Sequence, residues 1–346
     1  VGEKRKRKTN MATIRNVADR AEVSISTVSR VVNGNRPVRP DIRERVLQAI
    51  KELDYRPNYL ARGLRARNSS MLGLIIPDNS NPFYAEVARA IEDAGFAAGY
   101  SVILCNTDLS NEKQQAYIDV LLSHKVEGVI LINMNLVTLD NLERLMAEHI
   151  PVILANNDIR IPATDQILVD DYQGGYQAGQ YLLRLNHRRI GCISLQSQFP
   201  HIPKRITGFR QALTEAGIEL SDELCAIGNG RYDSGYQATQ DLIRRQPDLT
   251  AIFVFNDLMA LGAMNALRAE GRRIPADVSI IGYDNIFYSS TFEPALTTIA
   301  QPIATIGEEC ITHLLERIEH LDRPPMQVTL PTELIERASC RCLFSD

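Results

Sequence analysis

The chain opens with a helical rhythm. Ile14, Val17, Ala18 and Ala21 recur at i, i+3, i+4 and i+7, and Thr13 stands where an N-cap belongs. A break at Glu22-Val23 follows, and Ser24 can cap a second helix over Ile25 to Asn33. Val23 and Val28 have the spacing of a hydrophobic staple, which fixes the angle at which that helix leaves the turn. Val28, Val31 and Val32 make its inner face, while Ile25, Ser26, Ser29, Arg30 and Asn33 make its outer one. Gly34-Asn35-Arg36-Pro37 reads as a loop, and Pro40 or Asp41 opens a third helix with Ile42, Val46, Ile50 and Leu53 inside. Three short helices with a tight turn between the first two predict a helix-turn-helix module, whose second helix enters the major groove. The outer face has the chemistry to read DNA there, with Arg for guanine, Ser for adaptable hydrogen bonds and Asn for adenine or backbone. The bland alternative is a plain three-helix bundle.

Tyr55-Arg-Pro-Asn-Tyr-Leu-Ala-Arg-Gly-Leu-Arg-Ala-Arg67 comes next. Pro57 and Asn58 favour a helix start, Gly63 weakens the helix, and a segment of about two turns is marginal in water. Leu60 and Leu64 share a face, with Arg62, Arg65 and Arg67 beside it. An apolar side chain flanked by arginines is the chemistry of a minor-groove wedge, and the bland alternative is a solvated linker.

From Met71 the rhythm changes to short apolar runs at Leu72–Ile76, Val102–Leu104, Gly128–Ile132, Val152–Leu154, Ile190–Ser194, Ala251–Phe255 and Val278–Ile281. Amphipathic stretches such as Tyr84–Ala98, Glu112–Ser123 and Leu258–Glu270 separate most of them. Alternating strands and helices predict doubly wound parallel sheets, and a break near Val169-Asp-Asp-Tyr-Gln-Gly-Gly175 predicts a second lobe. The residues after the strand ends are polar or aromatic: Asn81-Pro-Phe-Tyr84, Asn133, Asn156-Asn-Asp158, Asn256-Asp257 and Tyr283-Asp284, with Arg205 opening a helix in the second lobe. Such lobes bind ligands where strand C-termini face each other. Amides, a carboxylate, an Arg and rings suit a polyhydroxyl ligand; for Asn156 or Asp257 taken singly, a helix cap is an equal reading.

Charge sharpens the division. Residues 1–67 carry 17 Lys and Arg against 7 Asp and Glu, a net of +10, whereas residues 68–346 carry 21 against 35, a net of −14. A basic head on an acidic body points to a polyanion at one end. No run of eighteen apolar residues exists and no apolar stretch follows the basic run Lys4–Lys8, so neither a membrane span nor a secretory signal is read, and the expected location is cytoplasmic. The six cysteines are scattered and read as inert thiols; Cys340-Arg-Cys342 lacks a second ligand pair. The six histidines show no ligand spacing, and His187 reads as part of a surface helix end. No Gly-x-Ser-x-Gly, Gly-x-x-x-x-Gly-Lys or His-Glu-x-x-His motif occurs, so an enzyme, a metal and a cofactor are all unexpected.

Thr13-Ile-Arg-Asn-Val-Ala-Asp-Arg-Ala21, Val23-Ser-Ile-Ser-Thr-Val-Ser-Arg-Val-Val-Asn33, Tyr55-Arg-Pro-Asn58, Ala61-Arg-Gly-Leu64, Ile281-Gly-Tyr-Asp284 and Pro294-Ala-Leu-Thr-Thr-Ile-Ala-Gln-Pro302 closely resemble the lactose-repressor family of bacterial regulators, and most of all its ribose and purine repressor branch. The resemblance runs from Met11 to about Arg337. It implies a basic tail (1–12), a helix-turn-helix domain (13–56), a hinge helix (57–67) and a two-lobed periplasmic-binding-protein-like body (68–340). Its first lobe would take about 68–170 plus 299–324, and its second about 171–298 plus 325–340. It makes Ile25, Ser26 and Arg30 the base readers and Leu64 the side chain that pries open the central base step. The DNA-facing set is then Thr13, Ser24, Ile25, Ser26, Thr27, Ser29, Arg30, Asn33, Tyr55, Asn58, Ala61, Leu64 and Arg65.

The body also resembles ribose-type sugar-binding proteins. That pocket pattern is matched by Asn81, Phe83, Asn133, Arg205, Asn256, Asp284 and Gln301, with Tyr84 and Tyr232 where that type has phenylalanines. Asn156-Asn157 departs from it, replacing an Asp–Arg pair, so a different hydroxyl arrangement or a different sugar is implied. Asn156 is kept in the expected effector set. The partners implied are a near-palindromic operator in double-stranded DNA, a monosaccharide-like effector and a second copy of the chain. No leucine heptad follows Arg337, so the tetramer-forming tail of the lactose repressor is not expected. The alternatives are a corepressor-dependent repressor of the purine type and a sugar-binding protein without DNA activity. Leu64→Ala should weaken specific operator binding in an anisotropy titration while effector binding persists; unchanged operator affinity would count against the wedge.

Overall fold

The head is built outward from its caps. In a computed structural model, residues 12–33, 37–55, 69–132, 139–156, 164–195 and 202–343 are described. Helix α1 (Ile14–Ala21) starts in a capping box: Asn16 N donates to the Thr13 hydroxyl, and the Asn16 side-chain oxygen accepts from Thr13 N. Glu22 ends it in the left-handed region at φ 54°. The chain turns directly into α2 (Ile25–Asn33), where Thr27 N donates to Ser24 Oγ, and α3 (Pro40–Glu52) begins with proline in its first turn. Val17, Ala18, Ala21, Val28, Val46 and Ala49 form the core, with Val23, Val31 and Val32 packed against it. Arg20 and Glu52, 2.6 Å apart, tie α1 to α3.

The chain divides into two units, Val1–Ser69 and Ser70–Asp346. The second holds two six-stranded sheets. The first sheet comprises β1 (Met71–Ile76), β2 (Ser101–Asn106), β3 (Gly128–Ile132), β4 (Val152–Ala155), β5 (Asp165–Val169) and β11 (Gln327–Leu330). The second comprises β6 (Ile190–Leu195), β7 (Cys225–Gly228), β8 (Ala251–Val254), β9 (Ser279–Asp284), β10 (Thr297–Ala300) and β12 (Glu333–Ile335). Their spatial orders are β11-β5-β4-β3-β1-β2 and β12-β10-β9-β8-β6-β7. Pairing is parallel throughout except between β10 and β12. The helices are α4 (Pro82–Ala97), α5 (Asn111–Ser123), α6 (Leu139–Ala147), α7 (Asp171–Arg184), α8 (Ile202–Glu215), α9 (Tyr232–Arg245), α10 (Asp257–Ala269) and α11 (Ile303–Glu319).

Every expected apolar run is a strand. The pattern does not disclose β5, β7, β10, β11 and β12. The chain crosses between lobes after β5, β10 and β11. The last crossing therefore falls near 331–332 and not at 324–325: β11 belongs to the first lobe because its backbone pairs with β5, register Gln327↔Gln166 to Leu330↔Val169. A buried carboxylate fixes this corner. Asp165 accepts from Arg317 Nη2 at 2.6 Å, Arg323 Nη2 at 2.6 Å and Met326 N at 2.8 Å.

In the second lobe α7 crosses α8 with their backbones touching. A Cβ at Gly175 would lie 2.0 Å from the Arg205 carbonyl oxygen, and one at Gly208 would lie 1.9 Å from that of Tyr172. Only glycine permits this approach, and it places Arg205 against α7. His187 corrects the surface reading. It is fully buried because the C-terminal segment covers the helix end: its Nε2 lies 3.1 Å from the Arg341 carbonyl oxygen and its Nδ1 3.0 Å from Thr250 Oγ1. Three of the cysteines, Cys105, Cys192 and Cys310, are buried, whereas Cys342 is exposed.

Burial pushes the His187 imidazole down to about 4. The unfolded chain takes up its proton first as pH falls, so this stability is complete above about 6.5 and is lost between there and 4. The loss should reach about 3 kcal/mol. Urea denaturation of wild type and His187→Gln across that window should show a difference that shrinks as pH falls.

Candidate DNA interface and effector cleft

On the head, Thr13, Ser24, Ile25, Ser26 and Arg30 are exposed, and Thr27 and Ser29 are half-buried. Ser24 Oγ lies 2.7 Å from Ser26 Oγ and 2.9 Å from Thr27 Oγ1, a hydroxyl cluster at the N-terminus of α2. Helix N-termini favour phosphate oxygens. Ile25, 37% exposed, is an apolar side chain kept out of the core by its register on α2, as a base-contacting residue must be. Tyr55 differs: it packs against the head core and its backbone amide donates to the Ile50 carbonyl, so it anchors the end of α3. The side chain of Asn33 and the whole of Asn58, Ala61, Leu64, Arg65 and the remaining hinge lie outside the described residues, as does Asn133.

Parallel pairing brings the strand C-termini of each lobe to one edge, and the expected effector residues follow those ends. Asn81 caps α4 by accepting from Phe83 N at 3.1 Å, and the rings of Phe83 and Tyr84 meet edge to face at 5.3 Å. Asn156 follows β4 in the left-handed region, φ 52°, with Nδ2 buried and without a hydrogen-bond partner among the described residues. In the second lobe Gln301 Nε2 donates to Asp284 Oδ1 at 2.7 Å, while Gln301 Oε1 is likewise buried and unpartnered. Asp284 holds φ 116°, a strained value of the kind that clusters at functional sites. Burial pushes its carboxyl well above the usual carboxylate range against the pull of Arg205, and Asp257 adds to the rise.

Arg205 is 2% exposed and bound within its own lobe. Its Nε and Nη2 donate to Asp171 Oδ1 at 3.1 and 2.6 Å, its Nη1 donates to the Phe255 carbonyl, and its guanidinium lies 3.4 Å from the Tyr283 ring centre. The Tyr283 hydroxyl donates to the same Asp171 oxygen at 2.8 Å. The sequence pattern does not single out Asp171, because the Asp170-Asp171 doublet reads as a break. Its signal is a second acid one residue inside a helix, where only one is needed as a cap.

Two polar residues turn inward for structural reasons. Asn256 caps α10 through Met259 N at 2.8 Å and donates to the Gly230 carbonyl at 2.9 Å, so both ends of its amide are engaged. Asp257 accepts from Ser289 Oγ, Thr298 Oγ1 and Ile286 N, fixing the loop after Asp284. Tyr232 does not join the group. Its hydroxyl accepts from Asn265 on α10, and with Asp233, Tyr236 and Gln237 it lines a surface depression between α9 and α10. The first position of a helix that crosses α10 turns this side chain toward its neighbour.

Residues 69–338 match the model of periplasmic binding proteins and sugar-binding domains of the LacI family, and residues 13–58 match that of bacterial regulatory proteins of the lacI family. The chain belongs to this family of DNA-binding transcription regulators with an effector-binding domain. Among its relatives is the HTH-type transcriptional repressor PurR of Erwinia tasmaniensis, 39% identical over 95% of this chain and 97% of that one. Catabolite control protein A of Priestia megaterium is 40% identical over 85% and 89%. Among solved structures, the Lac repressor bound to ONPG in the repressed state aligns with TM-score 0.83 at 28% identity, over 95% and 99%. The regulator CelR in complex with cellobiose aligns at 0.73 and 32%, over 95% and 99%. A LacI-family regulator of Enterococcus faecium with bound ribose aligns at 0.73 and 32%, over 79% and 100%. These relatives are transcription regulators, not enzymes. Among the described residues no helix is long and apolar enough to cross a membrane.

Removing Asp171 leaves the Arg205 guanidinium buried without its counter-charge. Asp171→Ala should therefore cost about 3–5 kcal/mol in urea denaturation. Asp171→Ala/Arg205→Met should recover part of the loss; a single variant as stable as wild type would deny the pair its structural role.

Proposed function

We propose that this chain is a dimeric cytoplasmic repressor whose hold on a near-palindromic operator is set by a small polyhydroxyl effector, a monosaccharide or a close derivative, bound between the lobes of its body. The observation that carries the ligand class is a pair of amide atoms at the strand ends, Asn156 Nδ2 and Gln301 Oε1, that are buried and have no partner among the described residues. Buried polar atoms in native proteins are almost always satisfied, and one is a donor, the other an acceptor. A hydroxyl group both accepts and donates, so sugar hydroxyls complete the set. Asp284, held toward its protonated form, gives a further donor. The cellobiose and ribose complexes among the structural relatives support this reading.

In the head, the exposed Ile25, Ser26 and Arg30 read base edges, and Thr13, Ser24 and Thr27 hold phosphates. The hinge residues Asn58, Ala61, Leu64 and Arg65 follow the DNA into the minor groove, as the family pattern implies. Effector and operator are then linked through their different affinities for two arrangements of the protein. A second reading, a purine corepressor, is favoured by the relatives named PurR.

A thermal-shift panel separates the two. It holds ribose and other pentoses, hexoses, sugar acids, sugar phosphates, hypoxanthine and guanine. A ligand at about 100 times its Kd adds roughly 2.7 kcal/mol to the native state. A shift with a sugar alone is expected; a shift with a purine alone overturns the sugar reading. Asp284→Ala should abolish the response of operator binding to that ligand while operator binding persists, and Arg30→Ala should lose operator binding with the ligand shift intact.

A further inference from the structure

We propose that Asp78 and Arg231, together with Glu86 and the backbone amide of Phe287, form a two-point clasp that holds the lobes closed, with the Asp78–Arg231 point on the side away from the crossing segments. The clasp sets effector affinity without touching the effector. The sheet orders show where it lies. The strands joined to the three crossings (β5, β10, β11 and β12) occupy one end of the two sheets, and β1-β2 and β6-β7 occupy the other. Asp78 belongs to the turn after β1, and Arg231 immediately precedes α9 after β7. Arg231 Nη2 donates to Asp78 Oδ2 at 3.0 Å, bridging residues 153 positions apart. The second point joins α4 to the loop after β9: Phe287 N donates to Glu86 Oε1 at 3.0 Å.

Each half of the clasp is positioned by its own lobe. Asp78 Oδ1 accepts from Ser80 N at 3.0 Å and Ser80 Oγ at 2.6 Å. Arg231 N donates to Asn229 Oδ1 at 3.0 Å, and the Arg231 carbonyl accepts from Ser234 Oγ at 2.7 Å. The Phe287 loop is held by Asp257, which accepts from Ile286 N. With Asp78 and both backbones held, closure has mainly the Arg231 and Glu86 side chains left to order. Neither contact survives if the lobes part. Any interaction made only in the closed form raises the closed-to-open ratio, and it raises the affinity of a ligand that binds the closed form in proportion to the fraction of molecules closed. This consequence for the effector rests on the cleft being its site. Asp78 is 15% exposed and Arg231 64%, a half-solvated pair for which a factor of about two to five is expected.

The clasp is tested on the free, full-length protein by amide hydrogen exchange, which follows the population of the open form. Asp78→Asn keeps the oxygen that caps Ser80, and Arg231→Gln keeps the turn at Asn229. Peptides over residues 78–86 and 284–288 should exchange about two- to fivefold faster in either variant, while β8 is unchanged. The double variant should be no faster than a single one, and 1 M salt should speed exchange in wild type but not in Arg231→Gln. Unchanged exchange in Arg231→Gln, or fully additive effects of the two substitutions, overturns the clasp. Saturating D-ribose adds the second arm. Faster exchange in the variants that ribose slows again over residues 78–86 and 284–288 supports both the clasp and the cleft as effector site. Faster exchange that ribose leaves unchanged leaves the clasp standing and removes ribose from the cleft.

Discussion

A guanidinium taken out of water is stable only when its charge and its donors are met on the spot, and Arg205 meets that demand through Asp171, the Phe255 carbonyl and the Tyr283 ring. Those partners come from α7, the end of β8 and the end of β9, so one buried charge fixes three elements relative to α8. The glycine crossing of α7 and α8 is what lets Arg205 approach Asp171 at all. Asp284 is the residue after Tyr283. The geometry of the proposed cleft is thus inherited from a network one residue behind it.

The proposed cleft follows the opposite rule. Around Arg205 and Asp257 the polar atoms are saturated by the protein; at Asn156 and Gln301 they are not. Two residues there hold positive φ, Asn156 at 52° and Asp284 at 116°. Strain and unmet hydrogen-bonding capacity both raise the free energy of this region, and an effector of the proposed kind, by supplying the missing partners, would relieve part of it. The neighbouring Asn256 shows why residue type alone does not define such a site: the same amide, at the same kind of strand end, is consumed by capping α10 and by Gly230.

The head follows a third economy. Its core is a handful of small and β-branched side chains, too few to set orientations by packing alone. Local devices carry more of the specification: the capping box at Thr13, the hydroxyl cluster at Ser24 and the Arg20–Glu52 pair. The Ser24 cluster stands at the start of the helix proposed to enter DNA, so the residue that caps that helix is also one proposed to meet the phosphates.

The features legible along the chain are those that short range decides. Helical and strand periodicity, caps, staples and the charge contrast between residues 1–67 and the rest are properties of neighbours in sequence, and from them follow the head, the long central strands and the alternating body. The polar positions after the strand ends could also be read, because parallel strands must place their C-terminal loops on one edge. The strands β5, β7, β10, β11 and β12 escaped because polar or small residues interrupt them, whereas the equally short β4 and β8 are unbroken apolar runs; pairing partners far along the chain make them strands. Tertiary structure alone assigned β11 to the first lobe, buried His187 under the C-terminal segment, turned Tyr232 toward α10 and gave Asp171 its cation. Each of these outcomes depends on which distant atom lies within about 3 Å of a polar group, and no local pattern encodes that.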